Sequence, residues 1–154
     1  MTCIAWDGKT LAADRGLMVA ESVRSYKKVH HVNGHRGRFL IGLCGATAFT
    51  DRVLEYFNSQ TEVEFPRFQD YVSGSDLSST CGLVINEAGE CRFIYCDGQF
   101  SEPMGDNWGA DGSGCVFLAG ALAAGVSAQR AIELAIEHTT CAFLGVDTIS
   151  FEDF

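Results

Sequence analysis

Hydrophobic residues change their spacing several times along the chain, and each change marks an element. Residues 2–6 and 9–13 read as extended segments on either side of Asp7-Gly8, a pair that suits a type I′ turn between antiparallel strands. Residues 28–32 and 38–43 form a second extended pair across 33–37, and Gly42 and Gly45 close it. From Ala46 the period becomes three and four. Ala46, Phe49, Val53 and Phe57 recur with Asp51, Arg52 and Glu55 between them, which predicts an amphipathic helix. Residues 58–79 are polar and carry Pro66; Phe65, Phe68, Tyr71 and Val72 predict one short helix there. Extended structure returns at 80–86 and 90–96 around Glu87-Ala88-Gly89, and Asp97-Gly98 turns the chain into a further strand at 99–103. Strands joined by turns this short run antiparallel. After Gly112-Ser113-Gly114 a helix is predicted over 115–124, apolar on every side and therefore expected to be buried. Gly125 suits its end. Ser127 suits the N-cap of a last helix, with Ala128, Ala131, Ile132, Ala135 and Ile136 on one face. Residues 146–151 read as a closing strand.

Runs of strands alternating with runs of helices indicate an α+β chain with antiparallel sheets, not a βαβ chain. Two helices from the middle and two from the end are expected to cover opposite faces of a two-sheet sandwich. The length, 154 residues, fits one domain spanning 1–154, and 47% hydrophobic residues with only 2 Pro supply a real core. Charge is unevenly placed: 8 Lys+Arg against 5 Asp+Glu in residues 1–60, but 3 against 15 in residues 61–154. That balance argues against nucleic acid and anionic membrane as partners. The first residues lack a basic n-region and the most apolar stretch, 116–124, is about half of a membrane span, so a cytoplasmic location is expected. Seven Cys fall mostly in apolar runs, with no C-x-x-C and no zinc-finger His pair, so no metal, cofactor or obligatory disulfide is expected. His30, His31 and His35 are expected at the surface, in or beside a loop between strands.

Individually the polar candidates are weak. Thr2 follows Met1; Asp14 ends an apolar strand; Lys27-Lys28 has the look of a solvated pair; 109–114 is a Gly-rich loop without a phosphate-binding Lys. Their order is the specific feature. Thr2, Ala12-Ala13-Asp14, Ser25-Tyr26-Lys27-Lys28-Val29, Ile41-Gly42-Leu43-Cys44-Gly45, Gly112-Ser113-Gly114 and Ala121-Leu122-Ala123-Ala124-Gly125 follow one another along the chain. This series resembles the proteasome β-subunit family of N-terminal-nucleophile hydrolases, and most resembles its bacterial branches, the HslV-type protease ring and the small proteasome homologues of bacteria and phages. The resemblance covers most of the chain and is weakest over 58–79 and 138–147.

The resemblance implies a four-layer α/β/β/α sandwich and a Thr-dependent peptidase acting on polypeptide. A Thr hydroxyl needs an adjacent base, and a first-residue Thr carries one in its own α-amine, whose unperturbed pKa is ~8. A nearby Lys⁺ favours the neutral amine, and a carboxylate fixes that Lys. In the family pattern Lys28 and Asp14 take these places, Ser113 relays protons beside the amine, and the backbone N–H of Gly45 receives the oxyanion. Met1 must be removed for Thr2 to act. The resemblance also implies a homo-oligomeric ring and, from the HslV-type branch, an ATP-dependent unfoldase as partner. The family's long second helix is not matched at 58–79, and His138-Thr139-Thr140-Cys141 stands where the family has acidic and Ser partners. Two other readings stay open: a non-catalytic ring subunit of the same fold, and an amidase acting on a small amide.

Overall fold

Every residue of β1 (Cys3–Trp6) and β2 (Leu11–Asp14) is buried in the computed structural model, which describes residues 1–73 and 79–154. A strand buried on both faces needs a layer on each side. On one face Ile4, Trp6, Leu11 and Ala13 pack against Val29, Leu40, Leu83 and Ile85 of a second sheet. On the other, Cys3, Ala5 and Ala12 meet Leu118 and Leu122 of α2 (Cys115–Ala123) and Ala131, Ile132 and Ala135 of α3 (Ala128–His138). The first sheet runs β10 (Val146–Ile149), β2, β1, β9 (Gly109–Gly112). The second runs β5 (Val29–Gly34), β6 (Gly37–Leu43), β7 (Thr80–Asn86), β8 (Cys91–Tyr95). All of these neighbours pair antiparallel. The outer face of the second sheet lies under Phe49, Val53 and Phe57 of α1 (Thr47–Asn58), the residues whose spacing predicts that helix. The result is the expected four-layer α/β/β/α sandwich.

Several elements differ from expectation, each for a local reason. The first hairpin pairs Trp6 with Leu11, so its tip is Gly8-Lys9 rather than Asp7-Gly8. The Asp7 carboxylate decides this: Oδ1 accepts from the backbone N–H of Lys9 and Thr10, and Oδ2 accepts from Ala128 N at 2.8 Å, tying the turn to the start of α3. A ribbon of β3 (Gly16–Val19) and β4 (Ser22–Ser25) is unpredicted because it is largely exposed and carries no apolar alternation. The strand expected at 99–103 reduces to one bridge, Ile94 to Phe100, because the Ser101 hydroxyl takes up the Phe93 N–H. The short helix expected near 65–72 is a 3₁₀ turn, Phe68–Asp70, so among the described residues α1 is the one α-helix over the second sheet. Residues 74–78 of that stretch lie outside the described residues. Apolar on every side, α2 is nonetheless only half buried: Leu118 and Leu122 face the core while Val116 is 85% exposed. The Ser127 cap holds, its hydroxyl accepting from Arg130 N.

Candidate active site

Antiparallel pairing sets the start of β1 beside the ends of β2 and β9, with Cys3 opposite Gly112 and Ile4 opposite Ala13. This is what carries Asp14 and Ser113, 11 and more residues away in sequence, to the N-terminus. In the second sheet the same logic sets the start of β5 beside the end of β6, and Leu43 N donates to the Lys28 carbonyl at 2.9 Å. Stacking the sheets then brings Lys28 to Asp14, and Gly45 to the cavity that Thr2 lines.

Asp14 is fully buried and accepts four hydrogen bonds. Oδ1 takes Lys28 Nζ at 3.0 Å and Cys3 N at 2.9 Å; Oδ2 takes Gly16 N at 3.1 Å and Phe143 N at 3.3 Å. Lys28 is 3% exposed, and its ammonium also donates to the Met1 carbonyl at 3.2 Å. A buried ion pair survives its desolvation cost when further hydrogen bonds reach it, and here three backbone N–H groups donate to Asp14 and one carbonyl accepts from Lys28. Thr2 N donates to Ser113 Oγ at 3.1 Å, and Ser113 Oγ lies 3.3 Å from the Thr2 carbonyl, to which it donates. Gly112 permits that approach. Its φ is +94°, and a Cβ there would collide with the Thr2 carbonyl. Gly45, at φ +115°, follows Cys44, whose N–H donates to the Cys81 carbonyl. Among the described residues nothing accepts the Gly45 N–H.

These groups surround a cavity of about 470 Å³ lined by Met1, Thr2, Cys44, Gly45, Ser79, Thr80, Asp111, Gly112 and Ser113. Four of the five sequence-derived residues therefore meet there or at the peptide before Thr2: Thr2 itself, Gly45 and Ser113 line it, and Lys28 donates to the Met1 carbonyl. Asp14, the fifth, sits behind Lys28 and reaches the N-terminus through Cys3 N. Cys3 is no rival nucleophile. Its thiol is pushed up to about 12, first by burial and then by the Asp14 charge, so it stays protonated at neutral pH. The loop after α3 contributes a backbone donor, Phe143 N, to Asp14, while Asp147 pairs with Arg15 at 3.0 Å. His30 and His31 lie in β5 and are half-buried, with His31 Nε2 2.9 Å from the Ser150 carbonyl; only His35 is in the turn. None of the seven Cys forms a disulfide, and among the described residues no group of His, Cys, Asp and Glu is placed to hold a metal ion.

Asp111 is the residue that sequence reasoning missed. It is 8% exposed and lines the same cavity, and its carboxylate accepts from Thr80 Oγ1 at 3.1 Å, Gly112 N at 2.8 Å and Cys44 Sγ at 3.8 Å. The available signal was an acid directly before Gly112-Ser113-Gly114, but 109–114 reads as a loop, and only the pairing of β9 with β1 shows which way its side chains face.

No protein-family model matches the sequence, and no curated protein matches it. Solved structures do. BPH of Thiobacillus denitrificans, in complex with epoxomicin, matches at TM-score 0.66 and 16% identity over 96% of each chain. HslV of Trypanosoma brucei matches at TM-score 0.63 and 20% identity, over 97% of this chain and 98% of that one. A Gly-1 mutant of Anbu from Hyphomicrobium sp. strain MC1 matches at TM-score 0.64 and 12% identity, over 97% of this chain and 81% of that one. The chain has the proteasome-type N-terminal-nucleophile hydrolase fold. Identities this low establish that fold and nothing of the chemistry. Among the described residues, the stretch after α1 that precedes β7 holds one 3₁₀ turn.

Proposed function

We propose that the protein is a threonine-dependent peptidase and a subunit of a self-compartmentalising ring. The observation that carries this reading is the buried Asp14–Lys28 pair directed at the Met1–Thr2 peptide, with Ser113 Oγ on Thr2 N. Removal of Met1 turns Thr2 N into a free α-amine that keeps its Ser113 partner and gains Lys28 as a cationic neighbour. That neighbour disfavours the protonated amine and readies it as a base. Thr2 Oγ1 then adds to a substrate amide carbon, and its proton passes to the α-amine. The oxyanion is received by the Gly45 N–H, a contribution of about 3–4 kcal/mol in comparable sites. Collapse expels the amine fragment, which takes the proton, and leaves an ester on Thr2. Water, deprotonated by the same amine, hydrolyses the ester and restores the site.

The ring rests on the fold and on exposed apolar residues that an assembly would cover: Met18, Val19 and Val23 on the β3–β4 ribbon and Val116 on α2. An ATP-dependent unfoldase is the partner to test alongside it. Thr2→Ala should abolish peptide turnover while leaving the native particle mass unchanged. Peptide cleavage that survives the substitution would mean that Thr2 is not the nucleophile.

A further inference from the structure

Asp111 has no evident structural use for its charge. Its strand partner Ile4 faces the core between the two sheets, where an apolar side chain at 111 would pack as well. Among the described residues three neutral donors reach the carboxylate, and two of them share Oδ1, leaving Oδ2 there with only a long contact to the Cys44 thiol. Burial pushes that thiol up, so it donates and carries no charge. Among the described residues no ion pair includes Asp111, and 74–78 contain no cationic residue. Burial also raises the carboxyl's own pKa, against the pull of its three donors. A buried acid without a counter-charge is costly unless something supplies the cation. The open side of Asp111 is the cavity shared with Thr2 and Gly45.

We propose that Asp111 determines specificity by receiving the cationic side chain of a substrate Lys or Arg beside the bond that is cleaved. The proposal rests on the reading of Thr2 as a peptidase nucleophile. An incoming ammonium or guanidinium would find Oδ2 open and would complete the counter-charge that the chain lacks. Thr80 and Gly112 hold the carboxylate in place for it through Oδ1.

The test has one arm that needs catalysis and one that does not. Fluorogenic peptides matched except for Arg, norleucine or Glu next to the scissile bond are compared on wild-type protein and on Asp111→Asn. The same peptides, unlabelled for cleavage, are titrated into Thr2→Ala protein with and without Asp111→Asn. The expected result is a preference of about tenfold or more for Arg over norleucine in both arms, as for a charge-assisted contact in a confined site, lost in Asp111→Asn through weaker Arg recognition alone. No preference in wild type, or a preference that survives Asp111→Asn, would overturn the proposal. Should Asp111→Asn not fold, competition on unsubstituted protein decides: butylguanidinium should displace the Arg peptide and the neutral butylurea should not, and equal displacement counts against the cation site. Selective binding of the Arg peptide without any cleavage would keep the cation site and remove the peptidase reading.

Discussion

Asp14 accepts from Cys3, Gly16, Lys28 and Phe143, so one carboxylate joins the starts of β1, β3 and β5 to the loop before β10. The proposed activation of Thr2 and the folding of its surroundings therefore rest on the same side chain. Removing Lys28 alone would strand Asp14 without its counter-charge, a loss of the kind that costs about 3–5 kcal/mol in buried pairs. The neighbouring thiols make a separate point. Cys3 and Cys91 are each raised from an ordinary value of 9.0 to about 12, with burial as the leading cause. A raised acid pKa means the folded state holds protons that the unfolded state releases. That contribution to stability is complete below pH 9 and is lost as pH rises from 9 toward 12. Thermal melts should therefore be flat in this respect from pH 7 to 9 and fall steadily above it; a midpoint unchanged up to pH 11 would contradict this. That Thr2, Asp14, Lys28, Gly45 and Ser113 converge at the N-terminus was legible because their order along the chain is specific. Asp111 was not, because an acid between glycines looks like a turn until the facing strand is known.

At the scale of elements, β1 is the organiser: it is the strand between β2 and β9, and its first residue lies against the ends of both. Gly112 is where this arrangement is tightest. In Gly112→Ala the new methyl meets the Thr2 carbonyl and φ stays near +94°, so the expected cost is about 1–3 kcal/mol from backbone strain alone. Displacement of Thr2 from Ser113 should reduce turnover beyond what the stability loss explains; a fully active Gly112→Ala protein would show that the contact is dispensable. Helices α1 and α3 were readable because Phe49, Val53 and Phe57, and Ala128, Ala131, Ile132 and Ala135, repeat at helical spacing. The exposure of α2 was not, since uniform hydrophobicity carries no information about which face is covered. Nor was β9, whose four residues include two glycines and an acid, types with low strand preference that pairing with β1 overrides.

Across the whole molecule the charge asymmetry acquires a place. Thr2, Asp14, Lys28 and Gly45 come from the mildly basic first 60 residues, and the acidic remainder supplies Ser113 and Asp111. No helix among the described residues is long and apolar enough to cross a membrane. Two sheets stacked between helices give the N-terminus a buried floor, Asp14 and Lys28, beneath an open cavity. The central claim is that residue 2 becomes a free N-terminal Thr that attacks carbonyl groups. It is tested most directly by intact mass spectrometry of protein from its native host, before and after incubation with a peptide epoxyketone. The account predicts loss of Met1 and a single adduct that maps to Thr2 and is absent from Thr2→Ala protein. A chain that retains Met1, or a mature chain that forms no adduct, would contradict it.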